Sequence, residues 1–219
     1  MLEQGVIALV TFLVVIDPLG VAAIFAGMTE GTPARWRRRM AVKSVLIAAA
    51  ILLGFALLGD PLLDAMNVSL DAFRLAGGVL LFLIALEMVF ARRTPRREAH
   101  ANETQAEREA AHPDHEGPED IAVFPLGLPL MAGPGAIATT LLIMTDSELS
   151  VGQKAVSLGA AGFVLLLCFI GFLLAGRLMR LLGVTASHAI TRVLGVLLAA
   201  LAAQFVLDAL AHTLGPLPI

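Results

Sequence analysis

Charge and cysteine are both scarce in this chain. Only 15% of its 219 residues are charged, too few to give a soluble body a polar coat. Cys168 is the only cysteine, which excludes an intrachain disulfide and a cysteine metal cluster. No basic face with interleaved aromatics occurs, so no nucleic-acid partner is expected. The opening MLEQGVIAL has no basic stretch ahead of its apolar run, so the first segment reads as a retained span, not a cleaved leader. The apolar segments hold no serine–histidine or paired-aspartate arrangement that would run hydrolysis in a bilayer, so no enzyme is expected.

What the chain has is hydrocarbon. Hydrophobic residues make up 58% of it, and the mean hydropathy is +0.87. Six apolar segments can be drawn, at 5–27, 41–59, 70–90, 121–145, 155–176 and 189–210. Each can cross roughly 30 Å of hydrocarbon at about 1.5 Å per residue. Barrel strands would be shorter and would alternate polar with apolar residues, so six transmembrane helices are expected. The partner of this surface is the lipid bilayer, and assembly into a homo-oligomer is compatible with it.

Loop charge sets an orientation. Arg35, Arg37, Arg38 and Arg39 lie in the first connection, with Lys43 just beyond. Arg92, Arg93, Arg96, Arg97 and Arg108 lie in the third, and Arg177 and Arg180 in the fifth. The second and fourth hold Asp60, Asp64, Asp146 and Glu148, with Lys154 nearby. The positive-inside rule then puts the odd connections in the cytoplasm and both termini outside. Residues 91–120 are polar and cannot bury a core, so they read as a solvated linker. His112, Asp114 and His115 within it are too few convergent ligands for a metal site, and no metal is expected.

The two halves echo each other. Pro18-Leu19-Gly20 is repeated by Pro125-Leu126-Gly127, displaced by 107 residues. Ser69, Arg74 and Gly77 are repeated by Ser187, Arg192 and Gly195, displaced by 118. Three spans per half place the halves in opposite senses across the membrane, the inverted-repeat layout of many secondary transporters. The expected organisation is therefore a first three-helix repeat at 1–90, a cytoplasmic linker at 91–120 and a second repeat at 121–219.

Two spans carry breakers. The fourth reads FPLGLPLMAGPGAIATT, with Pro125, Pro129 and Pro134 among Gly127, Gly133 and Gly135. Prolines at this density remove helix hydrogen bonds, and Gly133-Pro134-Gly135 is the sharpest interruption. Broken backbone at membrane depth is tolerated where protein buries it or a wet cavity meets it, and half-helix ends attract ions. Thr139 and Thr140 come next and can offer hydroxyls. In the first span, Asp17 precedes Pro18 and Gly20. An ionised aspartate at mid-bilayer costs on the order of 3 kcal/mol, so Asp17 must be neutral, paired or wet. It can also act as a helix N-cap.

If both breaks meet near the midplane, Asp17, Pro18, Gly20, Pro129, Gly133, Pro134, Gly135, Thr139 and Thr140 form one polar pocket for substrate or ion. Glu87, near the cytoplasmic edge, and Gln204, deep in segment six, are secondary polar candidates. Arg74 and Arg192 are expected to snorkel to the interfaces, and Asp208 and His212 to lie near them.

The runs DPLGVAAIF, SLDAFRLAGGVLLFLIALEM, FPLGLPLMAGPGAIAT and ITRVLGVLLAALAAQFVLDAL resemble the MarC family of six-span bacterial membrane proteins. The resemblance covers the chain outside 91–120, and PLMAGPGAI at 129–137 is its most specific part. It implies the bacterial inner membrane, a fold akin to the LysE-type exporters, and ion-coupled movement of small neutral amino acids. This chain has Asp17-Pro18 where the family usually has Asn-Pro, and Val21-Ala22-Ala23 where a proline commonly follows the glycine. The expected function is a secondary transporter of small polar solutes driven by H+ or Na+, with Asp17 as the coupling group and no bound cofactor. A non-transporting scaffold or regulatory protein is the rival.

Overall fold

The computed structural model describes residues 1–29, 31–90 and 120–214, with every side chain in that range except those at 60, 124, 125, 129, 176–188 and 214. The 91–120 linker and its histidines therefore lie outside the described residues, apart from Asp120. Among the described residues every regular element is helical: α1 (Leu2–Ile16), α2 (Pro18–Met28), α3 (Ala34–Ala65), α4 (Leu70–Val89), a π-helix here called π1 (Ala122–Met131), α5 (Pro134–Thr145) and α6 (Val151–Leu214).

Five stretches among these residues are long and apolar enough to cross a membrane: Leu2–Met28, Ala34–Gly59, Leu70–Val89, Val151–Ala175 and Ala189–Thr213. The fourth expected segment, 121–145, is not one helix. It divides into π1 and α5, and α5 alone is a short apolar helix. Pro125 and Pro129 withhold two amide donors within ten residues, and the backbone relaxes to the wider i→i+5 spacing. Thus Ala132 N–H donates to the Gly127 carbonyl at 2.9 Å, and Leu126 N–H to the Ile121 carbonyl at 3.3 Å. The second helix starts earlier than hydropathy alone suggests. Arginines at 35 and 37–39 are good helix formers, so α3 continues past the apolar boundary into a charged turn.

Close contacts between helices fix their directions. Gly5 lies against Val156 and Gly171 against Ala22, so Leu2–Met28 runs parallel to Val151–Ala175. Gly127 lies against Ile47 and Gly59 against Leu141, so π1 and α5 run parallel to α3. Gly77 meets Leu142 while Gly135 meets Ile84, which sets α4 antiparallel to α5. Gly195 meets Met88 while Gly78 meets Val206, which sets α4 antiparallel to Ala189–Thr213. Glycine at such positions lets backbones approach within a distance that a side chain would forbid. Phe25 and Phe172 stack with ring centroids 4.4 Å apart and tie α2 to α6.

Polar ties sit at the two ends of the bundle. At one end Arg74 pairs with Asp146 at 2.9 Å and, more loosely, with Asp71 at 3.8 Å. The expectation that Arg74 merely snorkels is corrected here: its side chain is mostly covered and bridges α4 to the turn after α5. Arg192, by contrast, is exposed. Lys154 Nζ donates to the Met144 carbonyl at 2.6 Å, capping the end of α5. Ser69 caps α4 by accepting from Ala72 N–H at 3.2 Å. At the other end Lys43 pairs with Asp120. Burial alone would raise the Asp120 carboxyl, but hydrogen bonds from Lys43 and Ala122 N–H, with the charges of Lys43 and Arg39, hold it below the usual carboxylate range. Between the ends the outer surface is apolar, with Leu46, Leu57 and Val193 all more than 60% exposed, as a lipid-facing belt requires.

Candidate functional site

The first break is one residue long. Asp17 stands at φ 58° and ψ 70°, the left-handed region. Its N–H donates to the Leu13 carbonyl at 3.0 Å and closes α1, while its own carbonyl accepts from Val21 N–H at 3.0 Å and opens α2. Only glycine, asparagine and aspartate visit this conformation at low cost, so the Asp found here suits the pivot. The side chain folds over the new helix, where Oδ1 accepts from Gly20 N–H at 3.2 Å. A Cβ at Gly20 would run into that carboxylate, which explains the glycine. Pro18 occupies the first position of α2, where a missing amide costs least. Asp17 is thus a buried N-cap, only 2% exposed.

The second break has the same plan without the cap. Pro134 again holds the first helical position, and Gly133 at φ −78° and ψ 173° precedes it. No side chain caps α5. Of residues 130–136 only Pro134 is exposed. Pro129 lies in π1, four residues upstream, and its side chain is outside the described residues.

The breaks touch. A Cβ built on Gly135 would come within 2.9 Å of Val15 Cγ1 and 2.8 Å of Ile84 Cδ1. Val15 is two residues from Asp17, so Asp17, Pro18, Gly20, Gly133, Pro134 and Gly135 belong to one region. Hydropathy could not identify Val15, Leu81 and Ile84 as its walls, since they look like any other aliphatic residue in a span.

The threonines differ in an informative way. Thr140 Oγ1 donates to the Ala136 carbonyl at 2.8 Å. Thr11, Thr29, Ser44, Thr145 and Thr213 likewise bond back to the carbonyl four residues earlier. Thr139 does not. It is 0% exposed, and its hydroxyl has no hydrogen-bond partner among the described residues. Ser157, on α6 beside the Val156–Gly5 contact, is the other buried hydroxyl without one. Ser157 was not among the expected site residues; its only signal in the sequence is a lone serine in an apolar run.

The secondary candidates fall elsewhere. Gln204 is exposed, and its Nε2 donates to Asp208 Oδ1 at 2.7 Å on the same helix face. It is therefore not a pocket residue: one helical turn of separation lets the two polar groups satisfy each other outside the core. Glu87 is half-buried, next to Met88, which packs on Gly195. No group of three or more His, Cys, Asp and Glu side chains able to hold a metal ion occurs among the described residues.

Comparison with known proteins places this arrangement. The model of the MarC family integral membrane proteins matches residues 2–214. A UPF0056 membrane protein of Methanocaldococcus jannaschii is 33% identical over 207 residues, 94% of this chain and 96% of the relative. The UPF0056 membrane protein YhcE of Escherichia coli is 34% identical over 191 residues, 87% of this chain and 84% of the relative. The UPF0056 inner membrane protein YhgN of Escherichia coli is 30% identical over 210 residues, 94% of this chain and 96% of the relative. No solved structure matches the chain.

Proposed function

The chain belongs to the MarC family of integral membrane proteins, and from that premise we propose that it is a secondary transporter of small polar solutes, neutral amino acids among them. It works as a carrier and not as an enzyme. Six helical passes form two three-helix halves of opposite sense, with both termini outside and the 91–120 linker in the cytoplasm of a bacterial inner membrane. The solute sits between the two breaks, coupled to H+ or Na+ through Asp17.

Three features support the inverted repeat. Exchanging the halves preserves the packing, because Leu2–Met28 on Val151–Ala175 is mirrored by π1 and α5 on α3. The third member of each half, α4 and Ala189–Thr213, packs on the other. Finally, each half opens with an element broken at a proline in the first helical position.

The PLG triplets themselves are not equivalent in place. Pro18–Gly20 begin α2, downstream of the first break, whereas Pro125–Gly127 lie within π1, upstream of the second. Matching break to break, Asp17 to Gly133, gives a displacement of 116 residues, close to the 118 of Ser69 and Ser187. The insertion that the triplets demanded in the second half shrinks to two residues.

The observation that supports the reading is the contact of Gly135, in the first turn of α5, with Val15, in the last turn of α1 and two residues before the Asp17 cap of α2, so that both half-helix starts belong to one buried region. Such ends attract charged and polar solute groups and need no further residues to do so. The test is flux of labelled glycine and alanine in proteoliposomes under imposed H+ and Na+ gradients. Asp17→Asn keeps the cap geometry and removes the ionisable group, so it should uncouple flux from the gradient. Asp17→Ala should abolish flux. Wild-type rates in both variants would remove the coupling role of Asp17, and no flux from the wild-type chain would leave it a non-transporting membrane scaffold.

A further inference from the structure

We propose that the first turns of α3 hold one anionic phospholipid, with Arg35, Arg38 and Arg39 on its phosphate and Val42 and Leu46 against the start of an acyl chain. The inference is independent of the carrier reading and needs only that the chain lies in a bilayer.

An open groove of about 970 Å³ runs along this stretch. That volume suits a ligand of moderate size. Its cations are Arg35, Arg38, Arg39 and Lys43, and Trp36, Val42 and Leu46 give it apolar surface. The spacing explains the shared wall. Positions 35, 38, 39, 42 and 46 stand at i, i+3, i+4, i+7 and i+11, a single stripe on an α-helix. All five residues are exposed. The same stripe continues through Leu53 and Leu57, also exposed. One face of α3 thus changes from charge to hydrocarbon near residue 41, where the apolar run begins. Arg38 and Leu46 are separated by about 12 Å along the helix axis. A phospholipid has the same order, with phosphate at the surface and acyl carbons below it.

Charge is the second reason. Lys43 is paired with Asp120, whose carboxylate also feels Arg39. Arg35 and Arg38 form no ion pair with a described residue. No acidic residue in the first turn of α3 offsets them. Among the described residues the groove therefore keeps an excess of positive charge, and guanidinium groups suit phosphate oxygens in shape as well as sign. Trp36 is half-buried beside them, at the level where indoles settle in membranes. The positive-inside rule accounts for basic residues in this connection, but not for their alignment with a lipid-facing stripe. Arg37 shows the difference. It is exposed and equally basic, yet it does not line the groove, because its helix face leads to buried Met40, Ala41 and Ser44.

Trp36 is the only tryptophan and the chain has no tyrosine, so indole fluorescence reports this site alone. The purified full chain in neutral detergent is titrated with phosphatidylglycerol bearing brominated acyl chains, which quench a neighbouring indole, and separately with brominated phosphatidylcholine. Phosphatidylglycerol should quench at a concentration about tenfold lower or less. Arg38→Gln should raise the phosphatidylglycerol concentration required about fivefold, and Arg37→Gln by less than about twofold. Unbrominated phosphatidylglycerol should restore the fluorescence, and soluble glycerol phosphate at the same concentration should not.

Equal quenching by the two lipids would overturn the proposal. Equal losses from Arg37→Gln and Arg38→Gln would reduce the groove to the diffuse attraction of any basic loop, and would overturn it as well. Displacement by glycerol phosphate would give the arginines to a soluble phosphate compound and overturn the assignment to lipid.

Discussion

At Asp17 the helix turns on one left-handed residue, and the carboxylate of that residue also caps α2. At Gly133 the approach is a ten-residue π-helix, the turn is extended backbone, and the cap residue has no side chain to bond into α5. Both breaks put proline first in the new helix, and the two meet through Val15 and Gly135. One half-helix is closed by its own side chain and the other is left open.

The strongest way to break this pairing is to force the walls apart. Gly135→Leu drives a large side chain into Val15 and Ile84, and should cost at least the 1–3 kcal/mol of ordinary overpacking, read as a lower melting temperature and loss of flux. Gly20→Ala attacks the closed cap alone. Its methyl displaces the Asp17 carboxylate, so about 1–2 kcal/mol of capping should go while α5 is untouched. Asp17→Ala should cost a similar amount, and Asp17→Asn only a few tenths, because asparagine keeps both the left-handed turn and the cap.

The smallest effect lies outside the breaks, at Lys43 and Asp120. The carboxyl of Asp120 is held below its ordinary pKa in the folded chain. Its contribution is therefore present above the unfolded value near pH 4 and is lost as pH falls through the folded value. Both side chains are more than 40% exposed, so the pair is worth at most about 1 kcal/mol. Lys43→Gln should lower the melting temperature slightly at pH 7, and wild type and variant should come together once pH falls below the folded value of Asp120.

Much of this was legible in the sequence because membranes punish exceptions. An aspartate and a proline inside an apolar run had to mean a break, and Asp17 is one. Five of the six expected spans could be drawn from run length. What stayed hidden depended on geometry that composition does not encode. The second broken segment could not be foreseen as a π-helix, since three prolines look the same whether they kink an α-helix or widen it. The PLG triplets misled for a related reason: identical letters fall on opposite sides of their breaks. Gln204 looked buried because it sits in an apolar run, yet it lies on an outer face and bonds to Asp208. The Thr139 hydroxyl differs from that of Thr140 only in what surrounds it, and no local pattern distinguishes them.

The contact between the two breaks is the claim on which the rest depends, and a double-mutant cycle tests it with two small changes. Gly135→Ala adds a methyl where Val15 Cγ1 stands 2.9 Å away, and Val15→Ala removes that group. In thermal or denaturant unfolding, each single variant should be destabilised. The double variant should recover part of the loss, with a coupling of about 0.5 kcal/mol or more. Strictly additive losses would mean that the two residues do not touch, and the shared site between the half-helices would not exist.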